Sequence, residues 1–217
     1  MKKIILILIL SGSISVCFGQ RFYEDAPPKN KFRISASGGI GYRIAKAPPG
    51  YESSEYMKQI RLGSEFQADA AYFLPNGTGI GMKYFLFSNA GSGNLNGIDV
   101  ISNIHISYIG PIMQQSIRLH SLRSKIMYGI SLGYMGYKDD GWIDHQKTMI
   151  KGGALGALLE FNYDFKITKG LYIGLNAGFS GGTLSSANIN GYSKKLNDDE
   201  KENLSKVHAG LGLRYIW

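Results

Sequence analysis

The sequence has a single cysteine, Cys17, among 217 residues. It lies in a segment expected to be cleaved off, which excludes disulfides and thiolate metal sites from the mature chain. Prolines number only six, and four of them fall in the pairs Pro27-Pro28 and Pro48-Pro49, so long stretches remain free to pair in sheets. Beyond residue 19 no apolar run approaches the ~20 residues that a membrane helix requires. Lys and Arg outnumber Asp and Glu by 24 to 16, but no block of five or six like charges occurs. The basic excess is therefore read as a surface facing anionic lipid headgroups or water, and not as a nucleic-acid interface. No glycine-rich phosphate loop or paired zinc motif is found. Asp139, Asp140 and Asp144 miss the spacing of an EF-hand and read as a solvated loop. No metal or cofactor is expected.

Glycine and tyrosine are abundant, at 29 and 14 residues, with no collagen period, and fit closely packed β-structure. The N-terminus combines Lys2 and Lys3, the apolar run Ile4 to Leu10 and small residues up to Gly19, the layout of a secretory signal peptide over residues 1–19. Acylation at Cys17 is the alternative, but Val16 and Phe18 flank it poorly for a lipobox. Residues 20–31, polar and carrying Pro27-Pro28, read as a periplasmic leader.

The final stretch, Val207 to Trp217, separates into an apolar file (Val207, Ala209, Leu211, Leu213, Tyr215, Trp217) and a file of His208, Gly210, Gly212, Arg214 and Ile216. That period of two marks a strand, with lipid on one face and a crowded polar interior on the other. Seven further strands share the pattern: Phe32 to Ile44, Ile60 to Phe73, Thr78 to Phe87, Ile98 past Tyr108, Ser124 to Tyr137, Ile150 to Phe165 and Leu171 to about Thr183. Gly110-Pro111 suggests a bulge or kink in the fourth. Pro75-Asn76-Gly77, Leu119 to Arg123 and Thr168-Lys169-Gly170 read as short turns. Ala45 to Lys58, Ser88 to Gly97, Lys138 to Met149 and the segment before Val207 read as long loops. A helical turn is expected at Asn197-Asp198-Asp199-Glu200. This long–short alternation predicts an all-β fold over residues 32–217: an eight-stranded, antiparallel, up-and-down transmembrane β-barrel. A soluble lipocalin-like barrel would instead turn the apolar files inward.

The terminal Leu213-Arg214-Tyr215-Ile216-Trp217 and the eight alternating segments resemble the small outer-membrane β-barrel family of Gram-negative bacteria, with the architecture of the OmpA transmembrane domain and OmpX. The resemblance implies residence in the cell outer membrane among lipid and lipopolysaccharide. It also implies an assembly signal at Leu213, Tyr215 and Trp217 that the barrel assembly machinery reads. It implies no single function.

An eight-stranded barrel is filled by its own side chains. The inward files hold Arg33, Arg43, Arg61, Lys83 and Arg214 against Glu65, Asp69, Glu160 and Asp164, which predicts a buried salt-bridge network with glycines making room for the arginines. A narrow channel would use the same residues. One catalytic pattern stands out: His105-Ile106-Ser107 places imidazole and hydroxyl on one strand face, where histidine could activate serine for acyl transfer. Outer-membrane lipid A deacylases are eight-stranded barrels with a His/Ser/acid arrangement. Here no acid can be assigned, and the file pattern turns His105 inward. The reading preferred is a non-catalytic barrel acting structurally or through extracellular loops toward a partner the sequence does not name. The alternative is a lipid A or phospholipid acyl hydrolase using His105 and Ser107.

Overall fold

Strands that alternate apolar and polar residues bury one file only if the sheet curls onto itself, and this sheet does. The computed structural model describes residues 32–44, 55–95, 97–118, 123–197 and 201–217. The expected signal peptide and leader, Pro48-Pro49-Gly50 and most of the Leu119 to Arg123 turn lie outside the described residues. The ring strands are β1 (Phe32–Arg43), β2 (Leu62–Phe73), β3 (Thr78–Leu95), β4 (Ile98–Arg118), β5 (Ser124–Ile143), β6 (Gln146–Lys166), β7 (Leu171–Leu184) and β11 (Lys206–Ile216). Each pairs antiparallel with its neighbours, β7 with both β6 and β11, and β11 back onto β1. Eight strands thus close the barrel. Three small strands, β8 (Ser186–Ile189), β9 (Tyr192–Lys195) and β10 (Glu202–Asn203), occupy the connection before β11, and a short helix α1 (Glu55–Gln59) lies in the one before β2.

The outward file of the ring strands is apolar, exemplified by Ile40, Leu62, Ile80, Leu132, Leu155 and Leu211, all exposed. The soluble alternative, which needs these residues inside, is excluded. At the short-turn end, Phe32 packs edge-on against Tyr72 with ring centroids 5.0 Å apart, and Trp217 stacks on both Phe32 and Tyr215 at 5.8 and 5.6 Å. Amphipathic rings gathered at one rim form an interfacial girdle.

Several expectations are corrected. Ser88 to Gly97 and Lys138 to Met149 are not loops but the paired upper parts of two long hairpins, β3–β4 and β5–β6, with register running to Leu95↔Ile98 and Ile143↔Gln146. Their polar composition reflects ribbons standing clear of the barrel. Asp144 and His145 form a two-residue turn with φ of 47° and 65°, the left-handed pair that suits strand twist. Pro111 makes no bulge. The β4–β5 ladder omits Gly110 and Pro111 but resumes in the same register, from Ile109↔Tyr134 to Ile112↔Ser131. Proline removes one N–H without adding a residue. The Ala45 to Lys58 loop contains α1. Of the expected helical turn, residues 198–200 lie outside the described residues, and the chain around them forms the β8–β9 hairpin and β10. The Pro75-Asn76-Gly77 turn is as expected, with Gly77 at φ 82° and the Thr78 amide donating to Asn76 Oδ1 at 3.1 Å.

The interior has two zones. Toward the short-turn end it is polar and charged. Toward the hairpin end it is apolar, where Phe85, Phe87, Ile104, Ile106, Met135 and Leu158 form the largest buried cluster, with Tyr56, Met57 and Ile60 from the α1 segment packed into it. Glycine shapes this seat for α1: a Cβ at Gly93 would stand 2.7 Å from Tyr56 Cβ, and one at Gly91 would stand 2.6 Å from Ile60 Cγ2.

Candidate functional site

Charged side chains removed from water must be paired, and the polar zone shows how. Arg33 on β1 forms an ion pair with Asp69 on β2 and lies 3.4 Å from Gln114 Oε1 on β4. Lys83 on β3 reaches across the lumen to Glu160 on β6 at 2.6 Å and stands 3.7 Å from Asp69. Glu160 also accepts from Gln114 at 3.0 Å and from Asn162 at 3.1 Å. Arg214 on β11 donates to Asn162 Oδ1 at 3.0 Å and holds Nε 3.1 Å from Asp164. The network therefore crosses the lumen instead of lining it.

Higher in the barrel, Glu65 pairs with Lys206, accepts from Gln67 at 2.7 Å and lies 3.6 Å from His208 Nδ1. Lys206 Nζ also sits 3.9 Å from the centroid of Phe85. Arg43 pairs with Glu202 of β10. Of the nine residues expected in the interior network, Arg61 is the exception. It precedes β2, where strand alternation no longer dictates its direction, and its Nη1 points 3.4 Å from the hydroxyl of the outward-facing Tyr42. Lys206 and Gln114 belong to the network but escaped the sequence reading. Lys206 continues the His208–Gly210–Gly212–Arg214 file by one step, which is the signal that could have found it.

The expectation for His105 is reversed. On β4 the residues flanking His105 at alternate positions, Ser102, Ile104, Ile106 and Tyr108, are buried, so His105 and Ser107 lie on the outer face. The β3 register decides this: Lys83, Phe85 and Phe87 point inward and pair with Gly110, Tyr108 and Ile106. His105 Nδ1 lies 2.9 Å from Ser88 Oγ, and its β5 partner is Lys138. Among the described residues no carboxylate is bonded to His105.

The three loop aspartates are dispersed. Asp139, five residues beyond the lipid-facing Tyr134 and so clear of the spanning segment, accepts from Ser102 Oγ at 2.8 Å and from the Asn103 amide at 3.0 Å. Burial pushes its carboxyl above the ordinary value, and those two bonds oppose the shift. Tyr56 Oη completes the chain 2.7 Å from Ser102 Oγ. Asp140 lies near Lys138 and Lys147 at 3.4 and 3.8 Å, and Asp144 is in the hairpin turn.

Leu213 and Tyr215 on β11 and Trp217 just past its end are all exposed, and the Trp217 amide and carbonyl both pair with Phe32 at 3.0 Å.

No family model matches the sequence, and no curated protein matches it. Solved structures do match in fold. Neisserial surface protein A is 14% identical, with 86% of this chain and 97% of that one covered at a TM-score of 0.53. The outer membrane protein OprG from Pseudomonas aeruginosa is 11% identical, with 90% and 99% covered at a TM-score of 0.55. With its closed ring of eight strands, apolar outer belt, aromatic rim and ion-paired lumen, the chain has the fold of the small outer-membrane β-barrels.

Proposed function

We propose that this chain is a non-catalytic barrel of the cell outer membrane that acts through its two extracellular hairpins. The observation that carries the reading is the exposure of Ile98, Ile101, Trp142 and Ile143 on ribbons that stand beyond the lipid-facing belt. Apolar side chains held out of both membrane and core favour contact with a partner. In this reading residues 1–19 direct export, residues 20–31 form a periplasmic leader, Leu213, Tyr215 and Trp217 present the assembly signal, and lipid and lipopolysaccharide surround the belt. A narrow channel is disfavoured because the Arg33–Gln114 and Lys83–Glu160 contacts bridge opposite sides of the lumen.

The outward placement of His105 and Ser107 favours a second reading, an acyl hydrolase working on lipid at the upper edge of the belt. Against it, His105 is held by Ser88 and not by an acid.

One set of cells separates these readings: cells without the protein, with the native chain, with Trp142→Ser/Ile143→Ser, or with His105→Ala. The expected result is that native cells adhere to a surface or to one another more than cells lacking the protein, and that the Trp142/Ile143 variant loses the gain. Mass spectrometry should show the same lipid A and phospholipid acyl chains in all four. Acyl-chain loss that requires His105 would establish the hydrolase. Equal adhesion with and without the protein would sink the hairpin reading.

A further inference from the structure

A ladder that sets two lysines directly opposite each other is unfavourable unless something neutralises them. Lys138 on β5 and Lys151 on β6 are such a pair, and the row continues to His105 on β4. Each lysine lies four residues beyond a lipid-facing residue on its own strand, Tyr134 and Leu155, and Leu155 is 79% exposed. For tilted strands that separation is about 10 Å along the membrane normal, the depth of the headgroups. Between the two rows lie Gly136 and Gly153, also paired. They leave bare backbone on the outer face: Tyr134 Oη leans over Gly153, and Ser107 Oγ lies 2.8 Å from where a Cβ of Gly136 would be. A shallow floor results, bordered by two ammonium groups, an imidazole and two hydroxyls. The acid at hand is Asp140, 3.4 Å from Lys138 and 3.8 Å from Lys147, one carboxylate against three lysines.

We propose that Lys138 and Lys151, with His105, Ser107 and Tyr134 around the glycine floor, bind a phosphate of an outer-leaflet lipid A headgroup. The site rests on the outer-membrane placement above but not on the hairpin function. The lipid's acyl chains would lie along the apolar belt below Leu155, while its phosphate supplies the charge that the lysine pair lacks. The neutral floor lets the phosphate approach both ammonium groups at once, and the hydroxyls donate to its remaining oxygens.

The test uses the full chain folded into phosphatidylcholine vesicles with increasing fractions of diphosphoryl lipid A, of its dephosphorylated form, or with inorganic phosphate in the buffer. Gel mobility after stepwise heating reports the unfolding midpoint. Diphosphoryl lipid A should raise the midpoint of the native chain and of a charge-matched control at the opposite rim, Lys166→Gln/Lys169→Gln, whereas the other two additions should not. Lys138→Gln/Lys151→Gln should need about tenfold or more lipid A for the same shift. An equal response in that variant, or an equal effect of the dephosphorylated lipid or of inorganic phosphate, would overturn the site. Failure of the native chain to insert into any vesicle would overturn the membrane placement and the site with it.

Discussion

Glu160→Ala should lower the unfolding free energy of the barrel by about 3–5 kcal/mol, the usual cost of removing one partner from a buried ion pair. The loss is large because three groups depend on this carboxylate. Lys83 would keep only the more distant Asp69, at 3.7 Å, and the amide donors of Gln114 and Asn162 would lose the acceptor they share. An ammonium left in a lumen that water does not freely enter carries a desolvation penalty that Asp69, already paired with Arg33, offsets only in part. Glu160→Gln should be milder, since its amide oxygen can still accept from both Gln114 and Asn162 and only the charge opposite Lys83 is removed. Urea titration of the folded chain in vesicles, followed by tryptophan fluorescence, measures both. Equal losses for the two variants would mean that the charge opposite Lys83 accounts for the whole cost and that the acceptor shared by Gln114 and Asn162 adds nothing.

This network was legible in part because β1, β2, β6, β7 and β11 keep one file apolar and the other polar, so the direction of Arg33, Asp69, Glu160 or Arg214 follows from parity alone. On β4 the rule fails. Ile104, Ile106, Ile109 and Met113 put apolar residues in both files, and only the register with β3 turns Tyr108 inward and His105 out. The apolar upper lumen was unreadable for a related reason: Phe85 and Phe87 continue the inward file of Lys83 but look like lipid-facing residues. A long-range contact, the docking of the α1 segment onto β3, makes them core. Arg61 shows the limit from the other side, since parity says nothing about a residue one step outside its strand. The hairpins were missed because the inner face of the upper β3–β4 ribbon is built from small residues, Gly91, Gly93 and Ser102, that fit against the α1 segment and so show no apolar file to read.

Gly174→Val should prevent the barrel from closing, and even Gly174→Ala should be severely destabilising. Gly174 lies inward on β7, paired with Asp164 of β6 on one side and Gly212 of β11 on the other. Arg214 reaches from β11 over this position to Asp164, so its ion pair skips a strand and passes through the volume a side chain at 174 would fill. A Cβ there would overlap Arg214 Nη1 and Asp164 Oδ1 and stand 2.6 Å from the Tyr163 carbonyl oxygen. The first two atoms belong to side chains and can move, but only by giving up the pair, at about 3–5 kcal/mol. The third is backbone and cannot yield without widening the β6–β7 ladder, and overpacking of that kind adds about 1–3 kcal/mol. The two costs can be separated by a double-mutant cycle. In an Asp164→Asn/Arg214→Met background the ion pair is already gone, so Gly174→Ala should there cost only the overpacking part. If it cost the same in both backgrounds, the backbone contact alone would account for the glycine, and the passage of Arg214 over β7 would be incidental to stability.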